Sequence, residues 1–300
     1  MKVHFNNVNF SSSTGPNSFA TRLAQELTTN FDVKIVNENQ DYDVFLCFIE
    51  PTFKPKKPCK FIQRLDGIWF KPEQFNTHNE LIKWAYTNCN KVIWQSQFDK
   101  TMTTKWWGDR PGTIIRNGIK IEKQIQWSQI SSIREKYEKI WICAASWHRQ
   151  KRLKENITFF QNNSGENDVL MVLGNNPDYK TDDKRVLYLG NQPHEVCLQL
   201  YSISDWMIHL AWLDHCPNVV VEALSQNCPI ICTDSGGTKE IVKKNGIIIP
   251  EIIPYDFSLC DYDNPPPLNL KNTDLKKIDV KNDYLDINSV AKLYINQFKN

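Results

Sequence analysis

Two acids eight residues apart, Asp214 and Glu222, flank the turn Cys216-Pro217-Asn218, and Gly236-Gly237 follows with a third acid, Glu240. The run Val219–Leu224 is apolar except for Glu222 and predicts a short helix opening near Asn218 and Val219. The first N–H groups of such a helix have no intrahelical acceptor and sit at the positive end of its dipole, so they suit a diphosphate. Glu222, about one turn in, is placed to accept hydrogen bonds from a ribose diol. An acid in a first turn also favours the dipole of any helix, so Glu222 alone does not name a ligand.

Upstream, the apolar run Ile140–Ala145 leads into Ser146-Trp147-His148-Arg149-Gln150-Lys151-Arg152-Leu153. Two or three phosphate charges in a partly dry site need cations and oriented donors, and Arg149 and Lys151 are candidates for that work. A solvated basic turn is the bland alternative. As a loop lysine facing an anion, Lys151 is expected to matter for ligand and not for stability. In the first half, the polar loop Ser11-Ser12-Ser13-Thr14-Gly15-Pro16-Asn17 and the turn Arg64-Leu65-Asp66-Gly67 carry the other polar candidates. Asp66 reads equally as a ligand contact or a loop-stabilising residue. His148, His194, His209 and His215 lack paired ligand spacing and read mostly as structural or surface residues.

The elements that must hold these residues alternate. Strands are expected at Val3–Val8, Val33–Val36, Val44–Ile49, Lys91–Gln95 and Thr113–Arg116, with helices from about Ser18 (capped by Asn17 or Ser18), at Glu80–Tyr86 and at Gln97–Trp107. The pattern restarts with strands at Ile140–Ala145, Val169–Gly174, Val186–Gly190, Trp206–Leu210, Pro229–Thr233 and Gly246–Pro250. Helices at Leu153–Phe160, Glu195–Ser202, Val219–Leu224 and Thr238–Val242 lie between them. Two such runs predict two doubly wound α/β domains, 1–118 and 119–255, with ligands in the cleft between them. Residues 256–285, with Pro265-Pro266-Pro267, read as an exposed, extended connection. A last helix over 286–300 is expected to complete the first domain.

The constellation around Asp214 resembles the donor-site signature of the family 4 (group 1) retaining glycosyltransferases. That pattern is an acid, seven residues, Glu-Ala, a Pro before a strand, and Gly-Gly-x-x-Glu. Asp214, Glu222-Ala223, Pro229 and Gly236-Gly237-Thr238-Lys239-Glu240 stand at those places. The first acid of the family is usually Glu, and its frequent Gly-Phe-Gly is here His215-Cys216-Pro217-Asn218. Lys151 falls in the place of the family lysine that binds the donor diphosphate. The usual Arg five residues earlier is Ser146, for which Arg149 or Arg152 would substitute. Asn117-Gly118 resembles the family's turn at the domain junction. Gly15 resembles its glycine loop after the first strand, with Pro16 where a second glycine is common. Asp66 lies where many relatives carry a histidine near the transferred sugar.

The resemblance implies a GT-B fold, two Rossmann-like domains facing across a cleft, and a hexosyltransferase-type transfer from a nucleotide-sugar with retention of configuration. It implies catalytic roles for Lys151, Asp214 and Asp66. It implies donor binding by Gly15, Arg149, Lys151, Pro217, Asn218, Val219, Glu222, Gly236, Gly237 and Glu240. It also implies independence of metal and of any cofactor, the nucleotide-sugar being the substrate.

Composition narrows the field. The 300 residues are 41% hydrophobic and 23% charged, with 36 Lys and Arg against 34 Asp and Glu, a net charge of +2. That balance and the short, proline-broken Lys54-Pro55-Lys56-Lys57-Pro58 argue against nucleic acid as a partner. Nine scattered cysteines without a Cys-x-x-Cys pair read as reduced, packed thiols of a cytoplasmic protein. No signal peptide or transmembrane run is expected, which leaves room for peripheral membrane contact only. Neither half contains Gly-x-Gly-x-x-Gly, against a dinucleotide-dependent oxidoreductase. The remaining rival is a non-catalytic nucleotide-sugar or glycan-binding protein on the same fold. The acceptor, whether glycan, lipid or protein, has no readable code.

Overall fold

The computed structural model describes residues 1–12, 14–55, 57–121 and 128–299. Ser13 of the polar loop and Lys56 of the basic loop lie outside the described residues. The chain divides into one unit of Met1–Lys120, Asp256–Asp261 and Tyr284–Asn300, and a second of Ile121–Tyr255 and Tyr262–Asp283.

The first unit contains β1 (Lys2–Asn6), α1 (Gly15–Asn30), β2 (Lys34–Val36), β3 (Val44–Phe48), β4 (Lys60–Leu65), α2 (Pro72–His78), α3 (Glu80–Asn88), β5 (Lys91–Trp94), α4 (Gln97–Trp107) and β6 (Gly112–Ile114). Its strands form one parallel sheet in the order β2-β1-β3-β4-β5-β6. The second unit contains α5 (Ser128–Lys136), β7 (Ile140–Ala144), α6 (Leu153–Asn163), β8 (Val169–Leu173), β9 (Val186–Gly190), α7 (His194–Ile203), β10 (Trp206–His209), α8 (Asn218–Ser225), β11 (Ile230–Thr233), α9 (Thr238–Val242) and β12 (Gly246–Ile249). Its parallel sheet runs β12-β11-β10-β7-β8-β9.

Parallel strands covered on both faces read as unbroken apolar runs, and β3, β7 and β8 are buried at every position. In β4 that pattern is broken by Gln63 and Arg64, both 0% exposed. The Gln63 amide donates to the carbonyls of Ile49 and Ile82. Arg64 pairs with Asp66, donates to the Asn117 side chain at 2.6 Å, and lies over the rings of Phe19 and Phe48. Pairing of this kind offsets much of the cost of burying polar groups.

Three expectations need correcting. Helix α1 begins at Gly15, not Ser18, with Thr14 before it and Pro16 in its first turn. Asn17 instead accepts from the Asn9 N–H at 2.9 Å. Helices α2 and α5 were not anticipated, because their apolar positions are too few to set a period. The stretch after Pro250 contains neither helix nor strand up to Asp283, but it is not simply an exposed connection. Leu268, Leu270, Leu275 and Ile278 pack against the core of the second unit, and Asn282 donates to the Leu224 carbonyl.

The chain ends in α10 (Ile287–Lys299), which joins the first unit. Val290, Tyr294 and Phe298 pack in one cluster with Phe19, Leu23 and Leu27 of α1, and Asn288 donates to Glu26. Gly118 passes close to this helix: a Cβ there would meet a Val290 methyl at 2.8 Å.

Candidate functional site

In doubly wound sheets, ligands bind outside the carboxyl ends of the strands where the strand order reverses. In the second unit that reversal lies between β7 and β10, so the loops after these two strands straddle it. They carry Lys151 and Asp214.

The two loops are zipped together. The Trp212 N–H donates to the Gln150 carbonyl at 2.9 Å, and the Gln150 amide returns a bond to the Trp212 carbonyl at 2.8 Å. Asn156 of α6 donates to the carbonyls of Lys151 and Arg152 and accepts from the Leu210 N–H at 3.0 Å. Held from both sides, Lys151 places Nζ 2.5 Å from Asp214 Oδ2, and His209 Nε2 lies 3.0 Å from the same oxygen. Asp214 Oδ1 accepts from the His215 N–H at 3.1 Å.

Burial by itself pushes the Asp214 carboxyl up, but the Lys151 charge and the His209 bond outweigh it and hold the group well below the usual carboxylate range. A carboxyl depressed in the fold contributes stability above its unfolded value of about 4, and that contribution is lost as pH falls through the folded value. Asp214→Asn is therefore expected to flatten the acid limb of stability. Urea midpoints measured from neutral pH down to about pH 3 check this, the native protein losing more than the variant. Parallel losses would contradict the pairing.

Three residues beyond Asp214, Pro217 stands at the start of α8 and its carbonyl accepts from Val220 and Val221. Proline has no side chain to cap the helix, and Asn218 and Val219 are half-buried. Glu222 is buried on this helix, with His194 Nε2 3.4 Å from its carboxylate. The Gly236-Gly237 turn presses against the acid loop from below. Gly236 has φ +70°, and a Cβ there would meet the Asp214 carbonyl oxygen at 2.4 Å. The Gly237 N–H donates to that same carbonyl at 2.7 Å, so both glycines set the backbone of Asp214. Glu240, in the short helix α9, is half-buried, with its N–H on the Gly237 carbonyl.

The structure thus brings Lys151, Asp214, Pro217, Gly236 and Gly237 together, with Glu222 and Glu240 on the adjoining helices. Arg149 is exposed at the edge, donating to Asn264. Arg152 is not an alternative phosphate ligand. It is 1% exposed, with φ +54°, and both ends of its guanidinium bind Glu251 at 2.7 and 3.0 Å. Glu251 also accepts from Ser235 at 2.9 Å, so this pair ties the basic loop to the end of β12. Ser146 is exposed. Asp66 and Gly15 belong to the first unit, where Asp66 is the counter-ion of Arg64.

Spacing alone does not single out His209 from the other histidines, and in the fold its ring lies against Asp214. The available signal was its position at the end of a strand, five residues before the acid. Asp-x-Asp occurs twice in the chain, at Asp41-Tyr42-Asp43 and Asp261-Tyr262-Asp263. Asp41 pairs with Lys57, Asp43 accepts from the Lys2 N–H and Asp261 pairs with Lys71. Among the described residues, no group of three or more His, Cys, Asp or Glu side chains could hold a metal ion. Among them, too, no helix is long and apolar enough to cross a membrane.

Residues 124–252 match the family model for glycosyl transferases group 1, and this segment contains every candidate of the second unit. No curated protein matches the chain. Solved structures share its fold. Anabaena Alr3699/HepE, in complex with UDP and glucose, aligns over 100% of this chain and 99% of its own, with a TM-score of 0.69 at 15% identity. The E. coli trehalose-6-phosphate structure bound with UDP-2-fluoro glucose covers 100% and 99%, with a TM-score of 0.69 at 8% identity. Sucrose-phosphate synthase from Thermosynechococcus elongatus covers 83% of this chain and 86% of its own, with a TM-score of 0.68 at 12% identity. At these identities the likeness speaks for the fold: two Rossmann-like units of the GT-B type.

Proposed function

We propose that this chain is a retaining glycosyltransferase of family 4 that moves a hexosyl-type sugar from a nucleotide-sugar to an acceptor, with the donor bound by the second unit. The observation that carries the reading is the junction of Lys151 and Asp214, 2.5 Å apart, with Asp214 four residues before Asn218, the first residue of α8. A diphosphate at that helix start would exchange one anionic partner of Lys151 for another. The lysine and the α8 N–H groups would then stabilise charge as it develops on the leaving nucleoside diphosphate. Arg149 stands at the rim as a second cation. Glu222 would take the ribose diol, and Glu240 and the Gly-Gly turn would complete the donor contacts.

No carboxylate is assigned as nucleophile. In the same-face displacement that follows, the leaving phosphate accepts the acceptor's proton as the new glycosidic bond forms. Asp66 stays outside this scheme because Arg64 occupies its carboxylate, and Gly15 enters only as a candidate of the first unit. No metal or cofactor is needed for these steps. Nine free thiols, six of them buried, fit a reducing, cytoplasmic setting.

The test needs no knowledge of the sugar. UDP at 100 times its dissociation constant should add about 2.7 kcal/mol to stability, a rise of a few degrees in Tm for a chain of this size. Glu222→Ala removes charge-assisted hydrogen bonds worth about 1.5–3 kcal/mol each and should weaken UDP tenfold or more. Inorganic pyrophosphate, which lacks the diol, should shift both proteins alike. Equal UDP shifts in the two proteins would remove Glu222 from the site. Exposed Ser146 and the commitment of Arg152 to Glu251 favour, as a second reading, a nucleotide-sugar-binding protein without transfer. Release of nucleoside diphosphate from a panel of donors separates the two.

A further inference from the structure

His209 stands at the Lys151–Asp214 junction, yet the transfer scheme gives it no task. It closes β10 with its side chain 4% exposed. Its Nε2 lies 3.0 Å from Asp214 Oδ2, the same oxygen that Lys151 Nζ reaches at 2.5 Å. Burial notwithstanding, Lys151 and His209 hold Asp214 ionised. A carboxylate only accepts, so Nε2 carries the ring proton and Nδ1 is the atom that titrates. Among the described residues Nδ1 has no hydrogen-bond partner, so a second proton there breaks no contact.

The other groups around His209 are neutral or already paired. Cys232 of β11 is its register partner, and burial pushes that thiol up to about 12, so it stays uncharged. Lys239 and Asp234 both act on the same thiol, with opposite sign. On β7 the neighbouring side chains are apolar except the Cys143 thiol, which burial also pushes up. Glu222, the charged side chain that α8 adds, faces His194. Arg152, which reaches the Leu210 carbonyl, is neutralised by Glu251. The charge on the imidazole is therefore governed by the Lys151–Asp214 pair: the ammonium disfavours a second cation and the carboxylate favours it.

We infer that His209 takes up a proton when an anionic ligand claims Lys151, and so replaces the lysine as counter-ion of Asp214. This rests on the donor reading above, in which a diphosphate exchanges one anionic partner of Lys151 for another. The exchange strips a mostly buried carboxylate of its cation and brings phosphate charge close by. Both changes favour an imidazolium at His209, and histidine is the side chain that can gain a charge near neutral pH. A buried carboxylate left without a cation would oppose ligand binding, and the proton removes that opposition. The proton passes from solvent to Nδ1 and returns when the ligand leaves. His209 is thus a positioning residue: it acts through Asp214 and holds the acid loop in the liganded state. Proton uptake on binding means, by linkage, that ligand affinity falls as pH rises.

Isothermal titration calorimetry of UDP into the full chain, in buffers of different ionisation enthalpy, counts the protons taken up. At about pH 7.5 the terminal phosphate of UDP, with a pKa of about 6, is already ionised, so the count reports on the protein. Uptake of about half a proton is expected, with a fall in UDP affinity of about threefold per pH unit above neutral. His209→Gln keeps an amide donor for Asp214 but cannot titrate, and should bind UDP without uptake and with a flatter pH profile. Should that variant fail to fold, ¹⁵N-labelled histidine rings in the native chain give the same answer: UDP should convert one ring from the neutral to the doubly protonated pattern. UDP binding without proton uptake, or equal uptake in His209→Gln, overturns the proposal and leaves the donor site intact. No binding of UDP at all sinks the donor reading, and this inference with it.

Discussion

Lys151→Ala is expected to lower the rate of sugar transfer at saturating donor by about 10²–10³-fold. That is the scale seen when one preorganised donor to a developing oxyanion is removed, about 2.7–4 kcal/mol of barrier. The structure changes what else the substitution does. As an isolated loop lysine it would leave stability untouched, and its loss would relieve repulsion from its basic neighbours. In the fold Lys151 is the counter-ion of Asp214, whose side chain is only 13% exposed, and Arg152 is already neutralised by Glu251. Removing the lysine leaves a mostly buried carboxylate with His209 and the His215 N–H but no lysine charge, at a cost of about 1–3 kcal/mol. Initial rates and urea midpoints on the same preparation separate the two losses. A rate unchanged at saturating donor would take Lys151 out of the mechanism, and an unchanged midpoint would contradict the ion pair.

The largest effect on stability is expected from Arg152→Met. The pair of Arg152 with Glu251 is almost fully buried, with side chains 0% and 2% exposed. Breaking one half of such a pair typically costs about 3–5 kcal/mol, because the other charge is left without compensation. Replacing Glu251 by Met as well should recover a large part, since two apolar side chains repack where two charges had to be desolvated. The recovery stays incomplete because Ser235 loses its acceptor and the Pro266 carbonyl its donor. Chemical denaturation of the native chain, the single variant and the double variant measures this directly. A single variant within about 1 kcal/mol of native would show that the pair does not hold the basic loop.

Much of the site was legible because it is written locally. Asp214, Glu222, Gly236-Gly237 and Glu240 fall within one β-α-β-α stretch, so their spacing along the chain survives as spacing in the fold. Helix α8 opens at Asn218, where the apolar run with its single acid placed it. The strands β3, β7 and β8 were legible for a related reason: a parallel strand covered on both faces must be apolar throughout, and few other elements are.

Pairings across long separations were not legible. Lys151 meets Asp214 across 63 residues, and Arg152 meets Glu251 across 99. From composition alone, Arg149, Lys151 and Arg152 are three equivalent cations in one basic turn. The sheet order makes them unlike. With β7 beside β10, one cation faces the acid loop. The left-handed backbone at Arg152 turns the next one inward to the end of β12. The third remains at the surface. A buried charge is tolerated only where an opposite charge is buried with it, and which charges meet is fixed by strand neighbours that no local pattern encodes. The same holds for Arg64 in β4, a polar break in an apolar strand until Asp66 and Asn117 are brought to it. Local pattern therefore determined the two doubly wound units and the acids of the candidate site. Tertiary structure alone decided which cation pairs with Asp214 and which one holds the fold.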